Sequence, residues 1–308
     1  MKTTSIFTMK SPFRDDFRIP GYYFGNGEKT VAIVGSMRGD EVQQLYVASQ
    51  VVKNLTELEE EGRIAKNQGI LVIPSANHYS MNIQKRFWAM DNTDINRMFP
   101  GYDQGETTQR VASAIFEAVK GYEYGIQLAS YYLNGNFVPH VRVMDTGYQD
   151  VESAGKFGLP YVYVYEPRPF DTCVLNYNWQ VFETKAYSIY SGSTDTINKE
   201  MAKMTWLSIL RFLDAKGAIR RPCHGGYQAY TFGEQQLHTV QSRQAGILYS
   251  MCGVGQQVKK GDILGKIIDP YNGETRSVID APTSGTIFFA HTRPLVHQHS
   301  RVFQILEF

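Results

Sequence analysis

In two short segments of this sequence, an arginine lies close to a carboxylate or an amide side chain. The segment Gly35–Glu41 places Arg38 three residues before Glu41, and a later segment contains the adjacent residues Asn96 and Arg97. A guanidinium group binds carboxylates through paired hydrogen bonds, but it cannot lose its proton to coordinate a cation. Without a functional site, the first segment predicts an ion pair at a helix start, where the helix dipole favours Glu41. The second would then be an ordinary turn with a salt bridge.

The elements that position these residues follow from hydrophobic periodicity. Short apolar runs typical of buried strands occur at Thr30–Ser36 and Gly69–Pro74. Further strand candidates are Tyr124–Leu128, Tyr161–Tyr165 and Ala186–Tyr190. Apolar residues at intervals of three and four predict amphipathic helices over Glu41–Leu58, Thr107–Val119 and Thr196–Lys216. The alternation of strands and helices predicts an α/β sheet with crossover helices.

The hydrophobic pattern of the sequence changes near Pro222. From there, short alternating runs are separated by Gly, Asn and Pro turns, and no helical period is present. This pattern predicts a small all-β module. We therefore divide the chain into an α/β domain over residues 1–221 and a β module over residues 222–308.

The composition limits the partners that the protein can have. Hydrophobic residues make up 43% of the 308 residues. The chain has 31 Lys and Arg and 30 Asp and Glu, which gives a net charge of +1. This balance argues against electrostatic binding to nucleic acid or to an anionic membrane. The three cysteines have no paired spacing, and no apolar run reaches the length of a membrane span. We expect a soluble cytoplasmic protein that binds neither nucleic acid nor membrane, with a homo-oligomer left open.

Several motifs resemble the succinylglutamate desuccinylase and aspartoacylase branch of the zinc carboxypeptidase superfamily. Gly35–Glu41 (GSMRGDE) corresponds to the family turn G-x-H-G-x-E, and Asp94–Gly101 (DINRMFPG) to the family segment D-L-N-R-x-F-P-G. The helix start at Gly105–Ala112 also matches, and the resemblance covers roughly residues 20 to 308. It implies an α/β fold with a zinc-carboxypeptidase-like mixed sheet flanked by helices, followed by a small C-terminal all-β barrel-like module.

The resemblance also implies where a zinc site would lie. In the family, the turn and an Asp-Leu-His segment supply the metal ligands, and a Glu on a late strand acts as general base. The ligand positions carry Arg38, Glu41 and Ala129 here, and Tyr190 stands at the position of the base. Arg and Ala offer no lone pair to a metal ion, and an ordinary phenol holds its proton near neutral pH. Two of the three ligands and the base are therefore replaced.

The part of the family site that binds substrate is better kept. In the family, the Asn-Arg pair of D-L-N-R-x-F-P-G holds the carboxylate of the substrate. By this resemblance, the predicted substrate-binding residues are Arg38, Glu41, Arg86, Asn96 and Arg97, and further candidates for the pocket are Ala129, His140 and Arg142.

These replacements occur together, and they lead to two hypotheses. The first is a family member that has lost its zinc, needs no cofactor and binds a small carboxylate or an N-acyl amino acid-like anion, as a binder, a sensor or a catalyst of a different reaction. The second is an active metal-dependent amidohydrolase that uses zinc with displaced ligands, such as His140 with Glu41. The sequence leaves the catalytic residues and any remaining catalysis unassigned.

Overall fold

The computed structural model describes residues 1–308 as a mixed α/β fold. Its strands are β1 Lys2–Met9, β2 Phe17–Gly25, β3 Glu28–Ser36, β4 Gln68–Ser75, β5 Tyr124–Leu128, β6 Gly135–Met144, β7 Tyr161–Tyr165, β8 Lys185–Gly192, β9 Tyr230–Phe232, β10 Leu237–Gln241, β11 Gly246–Ser250, β12 Gln257–Val258, β13 Ile263–Ile268, β14 Thr275–Asp280, β15 Gly285–His291, β16 Leu295–Val296 and β17 Arg301–Leu306. Its helices are α1 Val42–Glu60, α2 His78–Met81, α3 Thr107–Val119, α4 Val151–Ala154, α5 Leu175–Val181 and α6 Lys199–Ala215. None of these helices has the length and apolar character needed to cross a bilayer.

A mixed sheet of 13 strands forms the centre of the molecule. The neighbours β4, β3, β5 and β8 run parallel, whereas the β1–β2 hairpin at one edge and strand β6 at the other side pair antiparallel. Helices α1 and α6 cover one face, and α3 and α5 cover the other, so the central strands are buried on both sides. The predicted mixed α/β fold is confirmed.

Strand β6 was not predicted from the sequence, and its proline explains why. Pro139 has no backbone N–H to give to a ladder, so it argues against a strand interior. In the structure it lies where the pairing of β6 with β8 shifts between Phe137 and His140. Such an irregularity accommodates a proline because the ladder is already interrupted there.

The region after residue 222 contains strands and one short 3₁₀ turn, as the sequence pattern predicts. The resemblance predicts a barrel-like module here, and this prediction is wrong, because no closed barrel forms. Strands β11, β13, β14 and β16 form a separate four-stranded sheet, whereas β10, β12, β15 and β17 extend the 13-stranded sheet. The expectation that this region lies apart from the main sheet is not met, since β15 pairs with β6 and β9 with β7. The boundary near residue 221 stays a prediction.

An aromatic cluster joins this second region to the α/β region. Phe137 of β6 lies 4.7 Å from Phe289 of β15 between ring centroids, and Tyr163 of β7 stacks on Phe232 of β9 at 5.0 Å. These rings are almost completely buried. The cluster therefore fixes the second region against strands β6 and β7.

Candidate functional site

A cavity of about 350 Å³ lies between one face of the sheet and the second region. Strands β6, β7 and β8 and the segment after β5 line one side, and β10 and β17 contribute Leu237, Thr239, Arg301 and Gln304 to the other. The arginines that line the cavity are Arg38, Arg97, Arg142, Arg168 and Arg301.

The register of three strands brings the polar side chains of one wall together. On β6, His140 and Arg142 lie opposite Tyr190 and Ser188 of β8, and Arg142 also lies opposite Tyr163 of β7. Successive side chains of a strand point to opposite faces of the sheet. The apolar residues that alternate with this set belong to the core on the other face. This alternation separates a polar and aromatic cavity wall from the buried core.

Arg38 lies in the turn between β3 and α1 and is the centre of a buried ion-pair network. Its Nη1 donates to Oε1 of Glu41 at 3.0 Å, while Nε and Nη2 donate to Oδ2 of Asp94 at 3.1 and 2.9 Å. Oε2 of Glu41 accepts the backbone N–H groups of Met37 and Arg38, and Oε1 accepts the hydroxyl of Ser130. Burial alone would lower the pKa of Arg38, but Glu41 and Asp94 raise that pKa above its ordinary value. The guanidinium is therefore a fixed cation.

Asn96 and Arg97 line the cavity, and each already has partners within the protein. Oδ1 of Asn96 accepts a hydrogen bond from Nε2 of Gln127 at 3.0 Å. Arg97 donates to the carbonyl oxygen of Phe170, and its Nη1 lies 3.5 Å from a carboxylate oxygen of Asp171. Asn96 and Arg97 thus face the cavity with one amide oxygen and one terminal guanidinium nitrogen engaged by the protein.

The structure differs from the sequence prediction for three of the pocket residues. Arg86 forms an ion pair with Asp40 and donates to the carbonyl oxygen of Tyr131 at 2.9 Å, behind the cavity wall. Glu41 is completely buried behind Arg38, and His140 is completely buried below Arg142. The predicted residues that do line the cavity are Arg38, Asn96, Arg97, Ala129, Arg142 and Tyr190.

His140 holds Arg142 in place through an uncharged imidazole. Nδ1 of His140 lies 2.7 Å from the carbonyl oxygen of Val138, and Nε2 lies 2.9 Å from Nε of Arg142. Arginine can only donate, so Nε2 accepts and Nδ1 carries the proton. Burial, and then the charge of Arg142, hold the pKa of His140 well below its ordinary value. The guanidinium carbon lies 3.8 Å from the ring centroid of Tyr190, and no carboxylate of the protein pairs with it.

Two further cavity residues, Arg301 and Asn176, were not identified from the sequence. Arg301 donates to the hydroxyl of Tyr131, but its buried Nε has no partner. Asn176 is only 1% exposed, and neither Nδ2 nor Oδ1 of its side chain has a partner. No signal in the sequence marks these two residues. By contrast, the alternating Tyr and Val residues of Tyr161–Tyr165 indicate an aromatic face of the kind that lines the cavity.

Comparison with known proteins supports the motifs found in the sequence. Residues 27–167 match the family model of the succinylglutamate desuccinylase/aspartoacylase catalytic domain. The resemblance to this family is thereby confirmed. A curated relative, the N-alpha-acetyl-L-2,4-diaminobutyric acid deacetylase of Halomonas elongata, is 24% identical over 252 residues, which cover 78% of this chain and 70% of the relative.

Solved structures related to the succinylglutamate desuccinylase/aspartoacylase family share the fold over nearly the whole chain. A succinylglutamate desuccinylase from a Silicibacter species superimposes with a TM-score of 0.84 at 17% identity, covering 99% of this chain and 95% of that one. The product-bound ectoine utilization protein EutE (DoeB) from Ruegeria pomeroyi gives a TM-score of 0.80 at 18% identity, covering 95% and 90%. At this level of identity, the likeness shows the fold.

Arg38, Glu41 and Ala129, which the resemblance places at the family's zinc positions, do not have the chemistry to hold a zinc ion. The guanidinium of Arg38 lies 3.0 Å from Oε1 of Glu41 and would repel a divalent cation bound by that carboxylate. Both oxygens of Glu41 already accept hydrogen bonds, and Ala129 has no donor atom. Elsewhere in the chain, no three His, Cys, Asp or Glu side chains are grouped so that they would hold a metal ion.

Proposed function

We propose that this protein is a zinc-free relative of the desuccinylases and aspartoacylases that binds a small carboxylate or an N-acyl amino acid-like anion. The observation that carries the proposal is the ion-pair network of Arg38 with Glu41 and Asp94. It occupies two of the three positions at which the family resemblance puts metal ligands, and its Arg38 lines the cavity.

The charge of the cavity lining supports an anionic ligand. Five arginines line the cavity, and Asp171 and Glu234 are the acidic residues among its lining. The carboxylates that neutralise Arg38 lie outside this lining, while Arg142 and Arg301 have no carboxylate partner. Guanidinium groups in a partly dry cavity attract anions more strongly than they would in open water. A small organic anion would therefore complete the charge balance.

The volume of the cavity and the name of the Halomonas relative support an N-acyl amino acid as the anion. A cavity of about 350 Å³ is at the lower end of the range for small-molecule sites. The Halomonas relative is named as a deacetylase of an N-acetylated amino acid. An N-acyl amino acid combines a carboxylate with an amide, which suits a cavity that offers guanidinium groups and the amide of Asn176.

The alternative, hydrolysis with displaced zinc ligands, would use His140 and Glu41. One ring nitrogen of His140 carries a proton toward Val138, and the other accepts from Arg142. Glu41 accepts from Arg38, Ser130 and two backbone N–H groups. A zinc ion would have to displace these bonds and lie beside fixed cations, which favours binding over metal-assisted hydrolysis.

The test combines elemental analysis of the untagged protein, calorimetric titration and a hydrolysis assay. Suitable ligands are N-acetylglycine, succinate and N-α-acetyl-L-2,4-diaminobutyrate, the last taken from the name of the relative. We expect zinc well below one equivalent after dialysis, saturable binding of at least one of these anions, and no release of acetate. Stoichiometric zinc together with turnover that a chelator abolishes would overturn the proposal.

A further inference from the structure

We infer that Arg142, positioned by neutral His140, is the residue that binds the ligand's carboxylate, and that the Asn96–Arg97 pair is not. This inference rests on the proposed function, because it assumes that an anion enters the cavity. It goes further by moving the recognition of that anion from the segment Asp94–Gly101 to the wall formed by β6, β7 and β8.

The other arginines near the cavity are already paired with carboxylates. Arg38 is bound to Glu41 and Asp94, and Arg97 lies 3.5 Å from Asp171. The remaining pairs are Arg86 with Asp40 at 2.8 Å and Arg168 with Glu234 at 3.6 Å. At Arg38 and Arg86 a ligand would have to compete with a close and largely buried ion pair, and at Arg97 and Arg168 with a longer and more exposed one. Arg142 and Arg301 are the cavity arginines without such a competitor.

Arg142 presents its two terminal nitrogens in a fixed direction. Its Nε donates to Nε2 of His140, and its guanidinium plane is held against Tyr190, with Phe137 and Tyr163 also within 5.4 Å of the guanidinium carbon. Nη1 and Nη2 have no acceptor in the protein. Two parallel N–H groups on adjacent nitrogens match the two oxygens of a carboxylate. Because the side chain is already immobilised, little further ordering is needed when the ligand binds.

Two other groups that line the same cavity, Asn176 and Arg301, have free bonding capacity. Asn176 is almost completely buried and has neither a donor for Oδ1 nor an acceptor for Nδ2. Buried polar atoms are nearly always hydrogen-bonded, so an unpaired amide in a cavity wall can bond to a polar ligand that enters the cavity. Arg301 lies on the other side of the cavity, and its guanidinium carbon is 5.5 Å from the ring of Tyr131, compared with 5.6 Å for Arg142. These groups suit the amide and the remaining oxygens of an N-acyl amino acid.

His140 is a positioning residue in this scheme. Its Nε2 accepts from Arg142 only while the ring is neutral, and the bond from Nδ1 to Val138 keeps the ring in that tautomer. A glutamine at this position would keep one acceptor and one donor, whereas leucine would keep neither. With leucine at position 140, the guanidinium of Arg142 would therefore stay charged but lose its fixed orientation.

The experiment is calorimetric titration of N-acetylglycine and succinate into the full-length wild type and a set of variants. We expect Arg142→Ala to weaken binding by about tenfold or more, as the loss of charged hydrogen bonds implies. Arg142→Lys should also weaken binding, because an ammonium keeps the charge and loses the paired geometry. Arg97→Ala should bind nearly as tightly as wild type. Arg243→Ala, which removes an exposed arginine outside the cavity, is the matched control.

The same titration tests the positioning role of His140. His140→Leu should lose affinity to nearly the same extent as Arg142→Ala, and His140→Gln should recover most of it. Circular dichroism and urea unfolding of each variant separate loss of binding from loss of fold. If Arg142→Ala does not fold, Arg142→Lys and the two His140 variants decide the question.

The outcomes separate the inference from the proposed function. If Arg97→Ala loses affinity while Arg142→Ala and Arg142→Lys keep it, the inference is wrong and the proposed function stands. If His140→Leu binds as wild type does, the positioning role is wrong. If neither anion binds the wild type at concentrations up to the millimolar range, the inference and the proposed anion-binding function both fall.

Discussion

The guanidinium of Arg38 donates two hydrogen bonds to a single oxygen of Asp94, from Nε at 3.1 Å and from Nη2 at 2.9 Å. This contact links the two segments that carry the family resemblance, because Arg38 lies in the turn after β3 and Asp94 begins the segment DINRMFPG. The same guanidinium binds Glu41, so one cation holds two carboxylates together. Removing it affects both segments at once.

Arg38→Met is expected to lower the free energy of unfolding by about 3 kcal/mol. It would leave the completely buried Glu41 without its cation, and breaking a buried pair from one side costs about that much. Urea unfolding measures the change. The double variant Arg38→Met with Glu41→Gln should recover part of the loss, because it removes the uncompensated charge. A loss below about 1 kcal/mol in the single variant would contradict the assigned role of this ion pair.

Rebuilding the family's metal site is expected to require several substitutions together. Arg38→His and Ala129→His would restore two ligands beside Glu41, and zinc needs about three protein ligands to be retained. We expect the double variant, but neither single variant, to keep about one zinc per chain after dialysis, as measured by elemental analysis.

Adding Tyr190→Glu to this double variant should still give little hydrolysis of N-acyl amino acids. The guanidinium carbon of Arg142 lies 3.8 Å from the centre of the Tyr190 ring, so a carboxylate introduced there would have a lowered pKa and be a weak base. Rapid turnover by the triple variant with Arg142 intact would contradict this expectation. The matched comparison is the same variant carrying Arg142→Ala in addition.

The stability of the protein should fall on mild acidification, in part because of His140. Burial and the charge of Arg142 hold the pKa of this imidazole well below its ordinary value of about 6.5. Below that pH, the unfolded chain takes up a proton that the native protein does not, so the free energy of unfolding decreases as pH falls. One such group contributes at most about 1.4 kcal/mol per pH unit.

Urea unfolding of wild type and His140→Gln between about pH 7 and pH 5 isolates this contribution. The variant should show a shallower pH dependence, while His78 and His291, whose pKa values burial also lowers, remain in both proteins. Identical slopes in the two proteins would show that His140 takes up its proton in the native state as readily as in the unfolded chain.

The α/β region and the second region are expected to unfold together. Phe289 of β15 packs on Phe137 of β6 and is completely buried, so Phe289→Ala should cost about 3–5 kcal/mol. A single shifted transition in thermal unfolding is the expected result. Tyr271→Ala, at a ring that is 96% exposed, should have almost no effect. Two separate transitions in the wild type would instead indicate that the two regions fold independently.

The parts of the fold that could be predicted are those whose pattern is local. Helix α3 begins and ends where the three-and-four spacing of its apolar residues predicts, at Thr107 and Val119. Strand β6 could not be predicted in this way, because Pro139 argues against a strand. Only the pairing with β8 shows that the proline lies at an irregularity of the ladder. The attachment of β15 to β6 depends on backbone pairing between residues about 150 positions apart in the chain, as in Phe137 with Phe289. No local pattern encodes that contact.

In the candidate site, too, contacts between residues close in the sequence could be predicted, and contacts between distant strands could not. Arg38 and Glu41 are three residues apart, so their ion pair follows from the sequence. The contact of Arg142 with Tyr190 depends on the register between β6 and β8, which a shift of one residue would abolish. Arg301 reaches the cavity from the end of the chain, and only the completed sheet brings it there.

The backbone ladder between β6 and β15 means that the cavity cannot open as a hinge does. Both of its walls belong to one hydrogen-bonded sheet, so separating them would break the strand pairing. The loop between β7 and α5, where Arg168 and Phe170 are exposed, lines the cavity outside the sheet. A ligand would therefore enter between walls that keep their spacing, and differences in affinity between ligands should lie mainly in their dissociation rates.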